Sequence, residues 1–468
     1  MLTAITYIYT LALLALVIGV VYMSRKTGSL KKQIMVWVGF GFLTNYIILS
    51  AYYVTLPIEG VSSIAGFFVI TGIVASISLA LGSLYTLVAY AVWKTKESIL
   101  LSYAALVLSW VIVEIARPYV FTLITWGGGS TFGAHGSSWS LGSILASTPL
   151  VVFAHWGGVF MLGAVLISIV GVLVYPFSLY TKLGSMIMFI CLYSFVVHDI
   201  QNISHYTKPL RIGVVQTAFP HVPQGEDIDR VYTERVSSVL HPLVMSLADQ
   251  QPDIIILPED VRYMDLQGVR LRQELSKAFP ETVIVDGATR FIDGERKNTA
   301  IVFDIKTGTS SLRTKGVMFP FGEYVPYSLR PFIQVFVGEK KLKEYQAVRE
   351  YGAGEYPKGL STRFGTIGTL ICSELTSHTA LRALVHSSPD IAIVQSSLTW
   401  TNNRTYYAMN HVFSLKIMAV MLGKPVISVA NSGPTVMIDP FGRVTSFEPS
   451  SFKAHMYVQQ NGTVTKIQ

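Results

Sequence analysis

Hydrophobic positions along the chain fall into two regimes that change near residue 208. Before that point apolar residues run almost unbroken, and a helix crossing a bilayer needs roughly 20 of them. Six segments are predicted to span: about 3–23, 34–56, 63–93, 98–116, 148–175 and 184–200. The third and fifth are long enough to tilt or to run past the hydrocarbon layer. After Pro209 the apolar runs shorten and become β-branched. "RIGVVQT" (211–217), "DIIILP" (253–258), "TVIVDGA" (282–288), "NTAIVFD" (298–304), "GTIGTLIC" (365–372), "DIAIVQS" (390–396), "PVISVAN" (425–431) and "TVMIDP" (435–440) predict strands. Runs with so little alternation predict strands covered on both faces. Helical spacing falls over about 229–250, 266–279, 375–387 and 405–422. The expectation is a transmembrane helical bundle over 1–208 and a layered α/β domain over 209–468.

Charge follows the same division. Of 36 Lys+Arg and 28 Asp+Glu, residues 1–208 hold nine and four. The net charge of +8 is spread over both parts, too diffuse for a nucleic-acid footprint. Basic residues give the orientation. Arg25, Lys26, Lys31 and Lys32 follow the first span, Lys94 and Lys96 the third, and Lys182 the fifth, whereas the loops after spans two and four hold only Arg117. The positive-inside rule then puts the odd-numbered connections in the cytoplasm, and the N-terminus and everything beyond residue 200 outside. With no Lys or Arg before Arg25, the first span is expected to be retained and not cleaved as a signal peptide.

Glu114 and Arg117, three apart near the outer end of the fourth span, predict an interfacial ion pair or a polar contact beside a lipid entry. The loop "WGGGSTFGAHGSSWS" (126–140) lacks phosphate-cradle spacing and is expected to be flexible, and "HYTKP" (205–209) to link the two parts. The stretch 318–356 mixes aromatics, charges and prolines; it reads either as an arm touching the membrane or as a packed insertion. No metal-ligand cluster stands out and no cofactor is expected. Two cysteines cannot make a disulfide framework. Cys191 reads as a small buried hydrophobe. Cys372, where a strand breaks, needs a chemical account.

Ligands of α/β sheets bind beyond the carboxyl ends of the strands. Glu259 follows "DIIILP", Lys315 follows "TSSLRT", and Cys372 ends "GTLI" just before a predicted helix. An acid, an amine and a thiol form a working set for acyl transfer. The thiol must lose its proton to attack a carbonyl, and Glu259 is the candidate acceptor. The oxyanion then needs preorganised positive charge, for which Lys315 and the backbone N–H of Ser373 at the expected helix start are candidates. The competing reading is a buried structural cysteine beside an unrelated surface carboxylate.

"LPED" around Glu259, "TKGVMFPFGEYVP" around Lys315 and "ICSE" around Cys372 resemble the Glu–Lys–Cys triad motifs of the carbon–nitrogen hydrolase (nitrilase-like) superfamily. The "PFGEYVP" form behind a membrane bundle resembles, more particularly, the apolipoprotein N-acyltransferase family; "WVIVEIAR" (110–117) is similar to that family's Glu-containing helix. The resemblance covers essentially the whole second part. It implies an αββα sandwich, a phospholipid acyl donor, a diacylglyceryl-lipoprotein acceptor, and a bacterial inner-membrane enzyme with its catalytic domain outside the cytoplasm. By motif it makes Cys372 the nucleophile, Glu259 the general base and Lys315 the oxyanion stabiliser. Glu323 and Glu374 are expected to support the triad, together with Ser373 and with Asn298 of "NTAIVFD". Trp400 of "SSLTWTN" and His411 and Lys416 of "NHVFSLKIM" match further positions as candidate substrate-site residues.

The chain departs from the resemblance at Ser373, where the family usually has an aromatic. It also reads "NSG" (431–433) where the family often has "NNG", and it ends without a closing apolar helix. Two rivals share some of the features: a membrane-tethered amidase or nitrilase-like hydrolase passing the same thioester to water, and a catalytically silent membrane scaffold. A Ser–His–Asp site on Ser373 and His378 has no nucleophile-elbow motif behind it.

Overall fold

In lipid only a helix or a closed barrel satisfies its own backbone, so unbroken apolar sequence folds as helix. The computed structural model describes residues 2–55, 63–203, 209–222, 226–266, 269–401, 405–460 and 463–467; most of the expected 205–209 linker lies outside them. One compact unit takes in Met1–Asp199, Pro320–Glu350 and Thr376–His378. The other takes in Ile200–Phe319, Tyr351–Leu375 and Thr379–Gln468.

The first unit is built on α1 (Leu2–Lys26), α2 (Leu30–Leu49), α3 (Ser63–Ser83), α4 (Thr86–Lys94), α5 (Ile99–Ile124), α6 (Ala154–Val174) and α7 (Leu179–Ile203). Among the described residues six helical stretches are long and apolar enough to cross a membrane, α3 and α4 together making one, Ser63–Lys94. All six fall where the hydrophobic pattern predicts them. Trp37, Phe40, Tyr85 and Trp110 fill the interior with their rings 5.6 to 6.4 Å apart. Gly41 and Gly82 let α2 and α3 touch: a Cβ on Gly82 would stand 2.6 Å from the Phe42 nitrogen.

Four expectations change here. The fourth span runs on to Ile124, so Arg117 lies inside α5 and not in a loop. The expected Glu114–Arg117 ion pair forms, with Nε 3.9 Å from the carboxylate, but Glu114 is only 1% exposed and also accepts from the Tyr85 hydroxyl at 2.8 Å and from Ser140 Oγ. The loop at 126–140 is folded, with Ala134, Ser137 and Ser138 buried. Thr122 Oγ1 donates to the Gly133 carbonyl at 2.7 Å, and Ser137 Oγ to the Thr376 carbonyl at 3.0 Å. Its glycines and serines serve close packing and local hydrogen bonding. Cys191 is exposed on α7, since an apolar position in a spanning helix can face outward as readily as inward.

Residues Pro320–Glu350 add two short helices to this unit, Arg330–Val337 and Glu339–Arg349, the first packed beside α3. Tyr327 N donates to the Trp126 carbonyl at 2.7 Å, and the Tyr324 hydroxyl to the Thr125 carbonyl at 2.9 Å.

The second unit is a sandwich. Its strands are β1 (Leu210–Gln216), β2 (Ile254–Ile256), β3 (Val283–Ile292), β4 (Glu295–Asp304), β5 (Thr309–Thr314), β6 (Gly359–Thr362), β7 (Gly365–Ile371), β8 (Ile391–Ser397), β9 (Val426–Asn431), β10 (Thr435–Ile438), β11 (Val444–Glu448), β12 (Lys453–Gln460) and β13 (Thr463–Ile467). One sheet runs β13-β12-β1-β2-β3-β4-β5 and the other β11-β10-β9-β8-β7-β6. At the centre of each, three strands are parallel: β1, β2, β3 and β7, β8, β9. Ile212, Ile254, Val285, Ile367, Ile393 and Val429 meet between the sheets. Ile255 and Ile284, one residue out of phase, pack outward under Leu240, Val244 and Leu275, while the helix Thr405–Leu422 covers β9 and β10. That is the αββα order the resemblance implies, and it explains the unalternating strands. Strands β5, β6, β11 and β13 go unpredicted because they are edge strands, most of them short, and β12, inside its sheet, because polar residues interrupt its apolar run. The helix expected from 375 begins at His378, after a 3₁₀ segment Cys372–Thr376.

Removing one partner of a buried ion pair typically costs about 3–5 kcal/mol, because the other charge stays buried. Glu114→Ala is therefore expected to lower the thermal unfolding midpoint of the detergent-solubilised protein by several degrees. Glu114→Gln, which keeps one acceptor oxygen, is expected to lose less.

Candidate active site

The acid is placed by a backbone approach that only glycine permits. β2 and β3 run parallel, and beyond β2 the chain passes over Gly287 so closely that a Cβ there would lie 2.7 Å from the Asp260 nitrogen and 3.2 Å from Glu259 Cα. Asp260 and Arg262 take positive φ of 50° and 56°. Carboxylates staple this loop: Asp260 Oδ1 accepts from the Thr289 N–H at 2.7 Å, and Asp286 from those of Met264 and Gly287, both at 2.8 Å. Burial pushes the Asp286 carboxyl up to about 7, against the pull of those N–H donors. Glu259, only 9% exposed, is then fixed at both oxygens. Oε1 accepts from Asn298 Nδ2 and Oε2 from the Ser397 N–H, each at 2.7 Å, and Lys315 Nζ lies 3.8 Å from Oε1.

Lys315 follows β5 directly and is 1% exposed. Its N–H donates to the Asn298 carbonyl at 2.8 Å, so Asn298 fixes base and amine together. Cys372 follows β7 with φ +49°, a conformation that costs a non-glycine residue of order 1–3 kcal/mol and persists only where the surroundings enforce it. Glu374 does the enforcing. Its Oε2 accepts from the Ile371 N–H at 2.8 Å and its Oε1 from the Gly316 N–H at 2.7 Å, while Arg313 grips both oxygens at 2.9 and 2.5 Å. Ser373 Oγ donates to the Val317 carbonyl at 2.7 Å. Arg313 Nε also donates to Thr369 Oγ1 at 3.1 Å, so residues on either side of Lys315 are bonded to residues on either side of Cys372. The N–H of Ser373 opens a short 3₁₀ segment, so the helix-dipole contribution expected at the thiol has no α-helix start behind it.

The other candidates lie as follows. Glu323 belongs to the segment Pro320–Glu350 that folds with the spanning helices, in a turn closed by Phe321 N to the Tyr324 carbonyl at 2.8 Å. Trp400, 37% exposed, packs between Phe319 at 5.2 Å and Tyr407 at 4.8 Å. His411 bridges the helix Thr405–Leu422 to β9 through Ser428 Oγ at 2.9 Å, and burial holds its ring down at about 4, neutral near pH 7. Lys416, on the same helix, is half-buried, and desolvation lowers its ammonium. Sequence reasoning missed Arg313 and the Ser397 N–H. A lone arginine two residues before a key lysine on an edge strand is the signal that could have found the first. A main-chain donor leaves no signal.

No protein-family model matches the chain. Among curated proteins, the apolipoprotein N-acyltransferase of Aquifex aeolicus is 23% identical over 89% of this chain and 88% of its own length. That of Geobacter metallireducens is 22% identical over 87% and 78%. Among solved structures, an amidase from Nesterenkonia sp. is similar with a TM-score of 0.39 and 12% identity, over 55% of this chain and 90% of that one. The likeness in sequence runs through both the six spans and the sandwich, and the chain is similar to the apolipoprotein N-acyltransferases: a multi-pass membrane enzyme of N-acyltransferase type with an αββα sandwich.

Proposed function

We propose that the chain moves a fatty acyl group from a membrane phospholipid, through a thioester on Cys372, to the α-amino group of an N-terminal diacylglyceryl-cysteine on bacterial lipoproteins. The observation that carries this reading is the Glu259 carboxylate fixed at both oxygens beside the buried Lys315 ammonium, in a loop system bonded to the Cys372 turn. Glu259 takes the thiol proton as sulfur attacks the ester carbonyl. Lys315 stabilises the oxyanion, which collapses with loss of the lysophospholipid alkoxide; that alkoxide takes the proton back from Glu259. In the second half the amine attacks the thioester and gives its proton to Glu259. Collapse forms the amide and returns the proton to the departing thiolate.

The spans support a lipid donor. Each methylene lifted out of a bilayer costs roughly 0.8 kcal/mol, so an acyl chain is better transferred where it lies than extracted. The distribution of Lys and Arg supports an extracytoplasmic catalytic domain, with the basic connections on the cytoplasmic side.

Incubated with phospholipid alone, the protein is expected to gain one fatty-acyl mass on the Cys372 peptide, and a diacylated lipopeptide to discharge it as an amide. Discharge to free fatty acid at the same rate without the lipopeptide would make the protein a hydrolase, and an unmodified Cys372 would remove it from the chemistry. Cys372→Ala is expected to abolish acylation with an unchanged melting temperature. For Lys315→Ala we expect acylation to slow by about 100-fold or more, the usual loss when an oxyanion donor is deleted; a change below about tenfold would assign the oxyanion to another group. Glu374→Gln leaves Arg313 short of a counter-charge, and both stability, by about 3–5 kcal/mol, and the acylation rate are expected to fall.

A further inference from the structure

Asn431, which opens the "NSG" stretch and closes β9, is buried at a junction of three strand ends. Its Oδ1 accepts from Thr217 Oγ1 and from the Phe219 N–H, both at 2.8 Å. Its Nδ2 donates to Thr399 Oγ1 at 2.8 Å, to the Phe219 carbonyl at 3.1 Å and, longer, to Ser397 Oγ at 3.4 Å. Its own carbonyl accepts from the Leu398 N–H at 2.9 Å. Each of the three residues by which the chain leaves β8, Ser397, Leu398 and Thr399, is therefore bonded to Asn431. Ser397 and Asn431 are also the last register pair between β8 and β9.

The N–H that these bonds aim is the one on Glu259 Oε2. A carboxylate that accepts an N–H is stabilised in its charged form, and one that loses the donor becomes harder to ionise. We infer that Asn431 is a positioning residue for Glu259, acting through the Ser397–Thr399 backbone to keep that N–H on Oε2. The inference rests on the proposed role of Glu259 as base, and it names Asn431 as one residue through which the proton affinity of that base is set. Thr399 is the link most open to test, because its hydroxyl takes the shortest hydrogen bond from Nδ2.

The test uses the full-length protein with Cys191→Ser, so that Cys372 is the sole thiol. Its alkylation by iodoacetamide is followed from about pH 5 to about pH 9, in parallel with acyl transfer from phospholipid to a diacylated lipopeptide. Thr399→Val removes the hydroxyl at nearly constant shape, Thr399→Ser keeps it, and Asn431→Asp keeps the acceptor while replacing the donor. Thr399→Val and Asn431→Asp are expected to move the acidic limb of both profiles up by about half a pH unit or more, with KM for phospholipid unchanged. Thr399→Ser is expected to recover the parent profile. Unmoved profiles in Thr399→Val overturn the inference, and so does a lowered melting temperature with unmoved profiles, which would leave Asn431 only knitting strands together. If Asn431→Asp does not fold, Thr399→Val decides alone. Alkylation needs no acyl donor; a shifted alkylation profile in a protein that never transfers acyl groups would support the positioning role and overturn the proposed reaction.

Discussion

The bidentate pair between Arg313 and Glu374 is the interaction on which the rest of the site depends. Both side chains are wholly buried, and burying two charges is justified energetically only if every lone pair finds a donor. That condition is met at Glu374: one oxygen is shared by Arg313 and the Gly316 N–H, the other by Arg313 and the Ile371 N–H. An apolar pair of the same volume would fill the space as well. It would not choose where the loop after β5 stands relative to the loop after β7, and that choice is what separates a reactive thiol from an inert one.

The same logic recurs at each position of the site. The positive φ values at Asp260, Arg262 and Cys372 are unfavourable alone and are each held by a neighbouring acid. Asp260, Asp286 and Glu374 each accept main-chain N–H groups, and Asp260 and Glu374 also hold the guanidinium groups of Arg262 and Arg313. A loop held that way moves little when charge develops nearby, which is the condition for electrostatic stabilisation without reorganisation. Between the sheets the fill is apolar, and Gln395 of β8 reaches the Leu257 carbonyl at 2.8 Å, joining the two sheets next to the Glu259 loop.

The spans and central strands were legible because each is a continuous apolar run, and continuity is what burial on all sides writes into a sequence. Glu259, Lys315 and Cys372 are legible as candidates just past strand ends, and Asn298 through the motif around it. Arg313 was not, because β5 shows the pattern of an exposed edge with one inward position. The sequence of the loop at 126–140 reads as flexible for a related reason: glycine and serine mark freedom in an open chain and tight packing in a closed one, and composition does not distinguish them. Glu114 reads as lying near a span's end because the apolar pattern bounds that span at about 116; its partners Tyr85 and Ser140 lie 29 and 26 residues away, beyond the reach of local pattern.

The 3.8 Å between Lys315 and Glu259 gives the arrangement its direction. At that separation ammonium and carboxylate attract, by roughly 4 kcal/mol at an effective dielectric of about 20, without the geometry of a hydrogen bond. In the proposed reaction Glu259 becomes neutral as it takes the thiol proton, and its claim on Lys315 falls at the moment the oxyanion appears. The ammonium's field then acts on the new charge. Return of the proton to the leaving group restores the carboxylate and draws the ammonium back. A shorter, hydrogen-bonded pair would hold the ammonium against that change, and a wider one would lose the coupling. Asn298, bonded to the Glu259 oxygen and to the Lys315 backbone alike, keeps the spacing between those limits.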